Sequence, residues 1–220
     1  MIIVKPVTDW SQFTSCLQLR LETYAHLGYL SSESRCDIDP FDWSSVHFIA
    51  VDEDEATAGT VRLIIEAAGG PEGIAELQAS EQWCSRLQKQ TGTFATRSAS
   101  IPILATMKDN QIADAILHAE RPAELSRIIV APKFRGVSVC RELSNAVVEK
   151  ARELHRDVLF LQCLPKHVGL FQKLGFEPLL QALDYRLLNV PDRVVAMRML
   201  LDGSVTLPKK SKCSVQNPES

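Results

Sequence analysis

The stretch Glu124-Leu125-Ser126-Arg127-Ile128-Ile129-Val130-Ala131-Pro132-Lys133-Phe134-Arg135-Gly136-Val137-Ser138-Val139-Cys140 decides how this 220-residue chain is read. Its first seven residues predict a strand, which Ala131-Pro132 ends. Past the loop Lys133-Phe134-Arg135-Gly136, the residues Cys140, Leu143, Val147, Ala151 and Leu154 recur three or four apart. That spacing predicts a long amphipathic helix. A strand that turns tightly into a helix presents backbone N–H groups at the helix amino terminus, where the macrodipole favours an anion. Gly136 permits close backbone approach and Arg135 adds a positive charge. The turn is a pyrophosphate cradle or an ordinary strand-to-helix connection, and taken alone it fits the second reading better.

Outward from this centre the chain reads as mixed helices and strands without an internal repeat. Ile2 to Val7 is a short apolar strand. Asp9 or Ser11 caps a helix from about Gln12 to Leu27, on which Phe13, Leu17, Leu21 and Tyr24 keep helical spacing. Gly28 closes it. An acidic loop follows from Ser31 to Trp43, with Asp37, Asp39 and Asp42 around Pro40. Val46 to Val51 and Gly59 to Ile65 form a hairpin across the solvated turn Asp52-Glu53-Asp54-Glu55. In the second of these strands Arg62 points away from the face shared by Val61 and Leu63. Helices are expected over Leu77 to Lys89 and Gln111 to His118. Val158 to Cys163 is a buried strand, Lys166 to Leu174 a helix closed by Gly175. Asp184 to Asn189 and Val194 to Leu201 are two final strands, and Gly203 to Ser220 is a polar, frayed tail.

With 45% hydrophobic and 23% charged residues, disordered and fibrous classes fall away. Lys+Arg 24 against Asp+Glu 27 leaves a net charge of -3, which disfavours a generic nucleic-acid binder. No run approaches the roughly 20 apolar residues of a membrane helix, and the amino terminus is not a signal peptide. The six cysteines include no C-x-x-C pair, so no metal is expected and the thiols read as reduced, in a cytoplasmic compartment.

The central loop resembles the coenzyme-binding motif of the GNAT acyltransferase superfamily, Arg/Gln-x-x-Gly-x-Gly/Ala after a strand carrying V-x-P. Arg135, Ser138 and Cys140 stand at its three places, the last two as small substitutes for glycine. Downstream, Leu170-Phe171-Gln172-Lys173-Leu174-Gly175-Phe176-Glu177 resembles the superfamily's L-Y-x-K-x-G-F-E signature. A narrower resemblance joins Glu124-Leu125-Ser126-Arg127 with Val130 to the E-(I/L)-S-R-x-x-V strand of N-acyl amino acid synthases and acyl-homoserine-lactone synthases. Pro165-Lys166-His167 is similar to the N-P-(R/K)-H stretch of the former, with Leu164 in place of Asn. Asp39-Pro40-Phe41-Asp42 and Gly59-Thr60-Val61-Arg62-Leu63 resemble two further shared elements. The resemblance spans roughly Leu19 to Leu201.

The resemblance implies an α/β GNAT fold: a mixed, mostly antiparallel sheet, splayed where the donor enters, with helices on both faces. One acyltransferase domain over 1–202 would precede the tail 203–220. It implies N-acyl transfer, with a long-chain donor, from a phosphopantetheine thioester on coenzyme A or acyl carrier protein to an amino acid or other small amine. Alternatives are a short-chain acetyltransferase and a degenerate fold that only binds. Glu124 is the candidate general base or else a structural carboxylate. Strand alternation puts it opposite Arg127 unless a bulge intervenes.

Ile129, Val130, Arg135, Gly136, Val137, Ser138, Val139 and Cys140 would hold the donor, with His167 and Phe171 beside its arm. His167 equally reads as a helix cap, and is favoured as one. Phe171 stands where many acetyltransferases carry a tyrosine acid, so that acid is missing. Arg62 and Arg127 would bind a carboxylated acceptor, or anchor the acidic loop through Asp39 and Asp42, or form a purely structural network. Lys133, Arg135 and Arg141 suit coenzyme A phosphates or an acidic carrier protein. Phe48, Ile49, Leu63, Ile65, Phe94 and Leu104 are candidate walls of an acyl tunnel, unless they simply fill the core.

Overall fold

The computed structural model describes residues 1–30, 37–39, 41–42, 45–65, 119, 121–135, 137–179 and 194–201. The helices expected at 77–89 and 111–118, the strand at 184–189, the tail, Gly136, Phe94 and Leu104 lie outside them. The described elements are β1 (Ile3–Pro6), α1 (Trp10–His26), β2 (Ser45–Val51), β3 (Thr57–Ile65), β4 (Pro122–Val130), α2 (Val137–Glu153), β5 (Val158–Cys163), α3 (Val168–Lys173), β6 (Glu177–Pro178) and β7 (Val195–Leu200).

The seven strands form one sheet in the order β1-β2-β3-β4-β5-β7-β6. Every pairing is antiparallel except β4 with β5, which are joined through α2 as a parallel pair requires. The expected mixed, mostly antiparallel sheet with helices on both faces is the architecture found. Among the described residues no helix is long and apolar enough to cross a membrane, and no group of His, Cys, Asp or Glu could hold a metal ion.

Strand alternation divides the core in two. On one face Val46, Phe48, Val61, Leu63, Leu125, Leu159 and Leu161 pack against Val139, Leu143 and Val147 of α2. On the other, Ile49 and Val51 meet Phe13, Cys16 and Leu17 of α1. Ile64, Val158, Phe160 and Ala196 form a smaller cluster. This division corrects the tunnel expectation. Ile49 faces α1, whereas Phe48, Leu63 and Ile65 face α2, so the four cannot wall one passage; the latter three fill the main core.

Asp9 caps α1, its side chain accepting from the Gln12 N–H at 2.8 Å, and Gly28 leaves the helix with φ +72°. The buried residues of α1 are Phe13, Cys16, Leu17, Leu19 and Arg20, whereas Leu21 and Tyr24 are only half-buried. The seat of α2 depends on Gly59. A Cβ there would stand 2.8 Å from the Ile129 carbonyl oxygen and 2.9 Å from Leu143 Cδ1. Only a bare backbone lets β3, β4 and the start of α2 approach so closely. Gly59→Ala should therefore destabilise the fold by about 1–3 kcal/mol, the usual cost of overpacking. Chemical denaturation would show this as a lower midpoint at unchanged slope.

Candidate active site

The functional region begins where the parallel pair stops. β4 and β5 are in register at only three rungs, Pro122 with Val158, Ala123 with Leu159 and Glu124 with Phe160. β4 then continues to Val130 and β5 to Cys163 without pairing to each other. In open α/β sheets, strands that part at their carboxyl ends leave a crevice suited to ligands. Here the β4 side leads through a 3₁₀ turn, Pro132–Phe134, into α2.

A β-bulge bends β4 at this place. Arg62 is opposite Ser126 and Thr60 opposite Ile129, so three steps on β4 match two on β3. The surplus is taken up at Arg127, which has φ +54°. A left-handed arginine is strained by an amount of order 1 kcal/mol or more and persists only where its surroundings hold it. The bulge puts the Arg127 side chain on the same side of the sheet as Arg62, Ser126 and Glu124.

What holds it is a buried ion network. Arg20 Nε contacts Asp37 at 2.7 Å, and its two terminal nitrogens reach the Asp42 carboxylate at 2.8 and 3.1 Å. Arg62 grips Asp39 bidentately at 2.7 and 3.1 Å, donates from Nε to Ser126 Oγ at 3.0 Å, and lies 2.7 Å from Asp42. Arg127 donates to Asp39 at 3.0 Å, and its Nε is an unaligned 3.3 Å from Asp37. Its guanidinium also sits 5.4 Å from the Tyr24 ring centre, a cation–π contact. Three arginines thus balance three aspartates. Arg20 and Asp42 are essentially inaccessible, while the side chains of Asp39 and Arg127 stay 21% and 24% exposed. Only that edge of the network faces solvent.

Burial is the largest influence on Asp42 and opposes its ionisation. The guanidiniums of Arg20 and Arg62 outweigh it and hold the carboxyl well below its ordinary range. Asp39 is likewise lowered against its own burial by Arg62 and Arg127. His47, opposite Arg62 in the register, completes the network: its Nε2 is 2.9 Å from the Asp42 carbonyl oxygen. Burial pushes the imidazole down to about 4 despite the neighbouring Asp42 carboxylate. It is therefore neutral at pH 7 and donates to that carbonyl.

Glu124 is buried on the last paired rung, between Ile64 and Phe160. Ile129, Val139 and Cys140 are buried, Val130 is half-buried, and Lys133, Arg135 and Ser138 are exposed. Lys133 lies 3.7 Å from Asp52 and Arg141 3.4 Å from Glu142, so the basic patch is partly neutralised. Phe171 is in the main core, its ring edge-on to Phe176 at 5.9 Å. His167 occupies the position before α3 with φ -101° and ψ -5°, and its side chain makes no capping hydrogen bond. The favoured cap reading is thereby corrected, because a capping side chain needs an extended backbone to reach the helix N–H groups.

Arg20 and His47 are members that sequence reading missed. Arg20 carried a signal: it falls on the stripe of Phe13, Cys16 and Leu17, where a charge must find partners. The network makes stability depend on pH. Unfolded His47 takes up its proton near pH 6.5, folded His47 only near 4. Its contribution is therefore full above about 6.5 and is lost as pH falls towards 4, up to about 3 kcal/mol. Stability should fall over that window in the wild type and fall less steeply in His47→Gln. Equal slopes would remove His47 from the account.

The arrangement as a whole agrees with comparison to known proteins. The family model for the N-acyl amino acid synthase FeeM matches residues 15–199. Among solved structures, FeeM from uncultured soil microbes aligns with a TM-score of 0.62 at 15% identity, covering 91% of each chain. The acyl-homoserine-lactone synthase LasI gives 0.57 at 14%, covering 92% of this chain and 91% of its own. Escherichia coli ElaA gives 0.55 at 16%, covering 90% and 99%. No curated protein matches. The chain belongs to the FeeM family of N-acyl amino acid synthases, acyltransferases built on the GNAT fold.

Proposed function

We propose that this chain, as one domain over 1–202, transfers a long acyl group from a phosphopantetheine thioester to the amine of an amino acid or similar small acceptor. The observation that carries this reading is the two-sided fork between β4 and β5. Past the last rung, the side facing α2 bears Leu125, Leu161 and Cys163, all buried and apolar. The opposite side bears Glu124 on that rung and, beyond it, Ser126, Arg127 and Gln162. A donor whose acyl group is apolar and an acceptor that is polar would approach a thioester from these two sides.

In this reading Ile129 and Val130 border the pantetheine arm. The turn from Arg135 through Gly136, Val137, Ser138 and Val139 to Cys140 receives its phosphates at the amino end of α2. His167, in the turn that follows β5, meets the arm from the other side of the fork; Phe171 supports that side from the core. Lys133, Arg135 and Arg141 would draw in the phosphates of coenzyme A or an acidic acyl carrier protein. Asp39, Asp42, Arg62 and Arg127 serve the acceptor side by fixing its wall.

Glu124 accepts the proton of the attacking amine, directly or through one water. The amine lone pair forms the N–C bond, the C–S bond breaks, and the sulfur leaves with the electron pair as a thiolate. A thiolate needs little acid assistance, which fits a phenylalanine at 171. Glu124→Gln should lower kcat by about 10²–10⁴-fold and flatten its rise with pH, with donor KM nearly unchanged. Wild-type turnover in this variant would make Glu124 a structural carboxylate.

The packed side chains of Phe48, Leu63 and Ile65 favour the rival reading, a short-chain donor. Each buried methylene contributes about 0.8 kcal/mol, so a long-chain enzyme should prefer dodecanoyl to acetyl by several kcal/mol. Measuring kcat/KM with acetyl, octanoyl and dodecanoyl thioesters decides between them. Acetyl matching the longer donors would install the short-chain reading.

A further inference from the structure

Resting on the acyl-transfer reading, in which the acceptor is an amino acid, we propose that Ser126 and Gln162 are its specificity-determining contacts, a two-donor subsite for the acceptor carboxylate. The sequence pointed to Arg62 and Arg127 for that task, but Arg62 is buried and engaged with Asp39 and Asp42, and the charge of Arg127 is already met by Asp39 and Asp37. A carboxylate reaching them would have to compete with carboxylates already in place. The donors left over lie nearby.

Gln162 is the one polar residue of β5; Val158, Leu159, Phe160, Leu161 and Cys163 around it are buried. Its half-buried carboxamide makes no hydrogen bond among the described residues and is not sealed from solvent, so its N–H groups are free to meet a ligand. By alternation it is on the face of Phe160, hence of Glu124, and its neighbour on β7 is Ala196. Ser126 is the β4 residue that a continued ladder would set against Gln162, two steps past the Glu124–Phe160 rung. Its Oγ accepts from Arg62 Nε at 3.0 Å, and it donates to no described residue. The hydroxyl proton is thus unspent, and an oxygen that accepts from a guanidinium donates more strongly.

One O–H and one carboxamide N–H, on strands that have begun to part, can each take one oxygen of a carboxylate. In an α-amino acid the amine is one carbon from that carboxylate. Held there, it lies towards the Glu124 rung, about 6.6 Å along the strand from Ser126. The same two groups thereby select the acceptor and aim its nitrogen.

The test compares a panel of amino acids with the amines that lack only the carboxylate, such as phenylalanine with phenethylamine, at saturating acyl thioester. The wild type should favour each amino acid over its amine. Gln162→Leu keeps size and removes the donor; it should raise KM for amino acids about 10- to 100-fold, leaving the amines, the donor KM and the melting temperature unchanged. Gln162→Asn should restore part of the preference. Equal losses for acids and amines, or a changed donor KM, would overturn the proposal. A wild type that prefers the amines would overturn it while leaving acyl transfer in place. A wild type that acylates nothing in the panel would end the acyl-transfer reading and this proposal with it.

Discussion

The closure of Arg20 and Arg62 on the buried carboxylate of Asp42 is the constraint on which the acceptor side of this protein depends. Arg20 comes from α1, Arg62 from β3, and Asp42 from the loop between α1 and β2. Their meeting point therefore fixes a helix, a strand and a loop to one another at once. Hydrophobic contact alone would not do this, because burial of Phe13 and Leu17 is non-directional and tolerates sliding. Removing a partner would leave an uncompensated buried charge, a change that typically costs about 3–5 kcal/mol. Whether the intact network adds net stability is a separate matter, since desolvating six charged groups is itself expensive. Its evident product is geometry: it holds Asp39, and through Asp39 the bulged Arg127, at the mouth of the fork.

The fork then sorts chemistry by strand parity. Odd-numbered positions of β4 and β5 just past the last rung, Leu125, Leu161 and Cys163, enter the core beneath α2, while the even-numbered Ser126 and Gln162 lie on the sheet face that carries the ion network. A one-residue slip of either strand would exchange apolar for polar across the whole fork. The register is pinned from both sides, by Leu159 and Leu161 against Met199 and Met197 on β7 and by Leu125 against Leu63 on β3.

Much of this was legible in the sequence because it is periodic. Two apolar runs, Val46 to Val51 and Gly59 to Ile65, on either side of an acidic turn gave the hairpin, and the three-to-four spacing from Cys140 to Leu154 gave α2 to within a few residues. The short E-L-S-R and K-L-G-F stretches carried the family. The illegible parts are those where partners distant in sequence override local preference. No glycine marks the bulge at Arg127; a residue that resists the left-handed region is held there by Asp39, 88 positions away. Arg20 was passed over because a pattern of apolar residues skips a charge, although its place on the helix is as buried as that of Phe13. His167 was read by position as a cap, and only its backbone angles show that the side chain cannot serve as one.

The sequence distance across the network also has a kinetic meaning. Arg20 and Asp42 are 22 residues apart, Arg62 and Asp39 23, and Arg127 and Asp39 88. Contacts that close such long loops lose chain entropy before they gain energy, so they tend to form late. Interactions absent from the folding transition state act mainly on the unfolding rate. On that logic the arginines and aspartates are a latch: they do little to speed the chain to its native state, and they slow its departure from it.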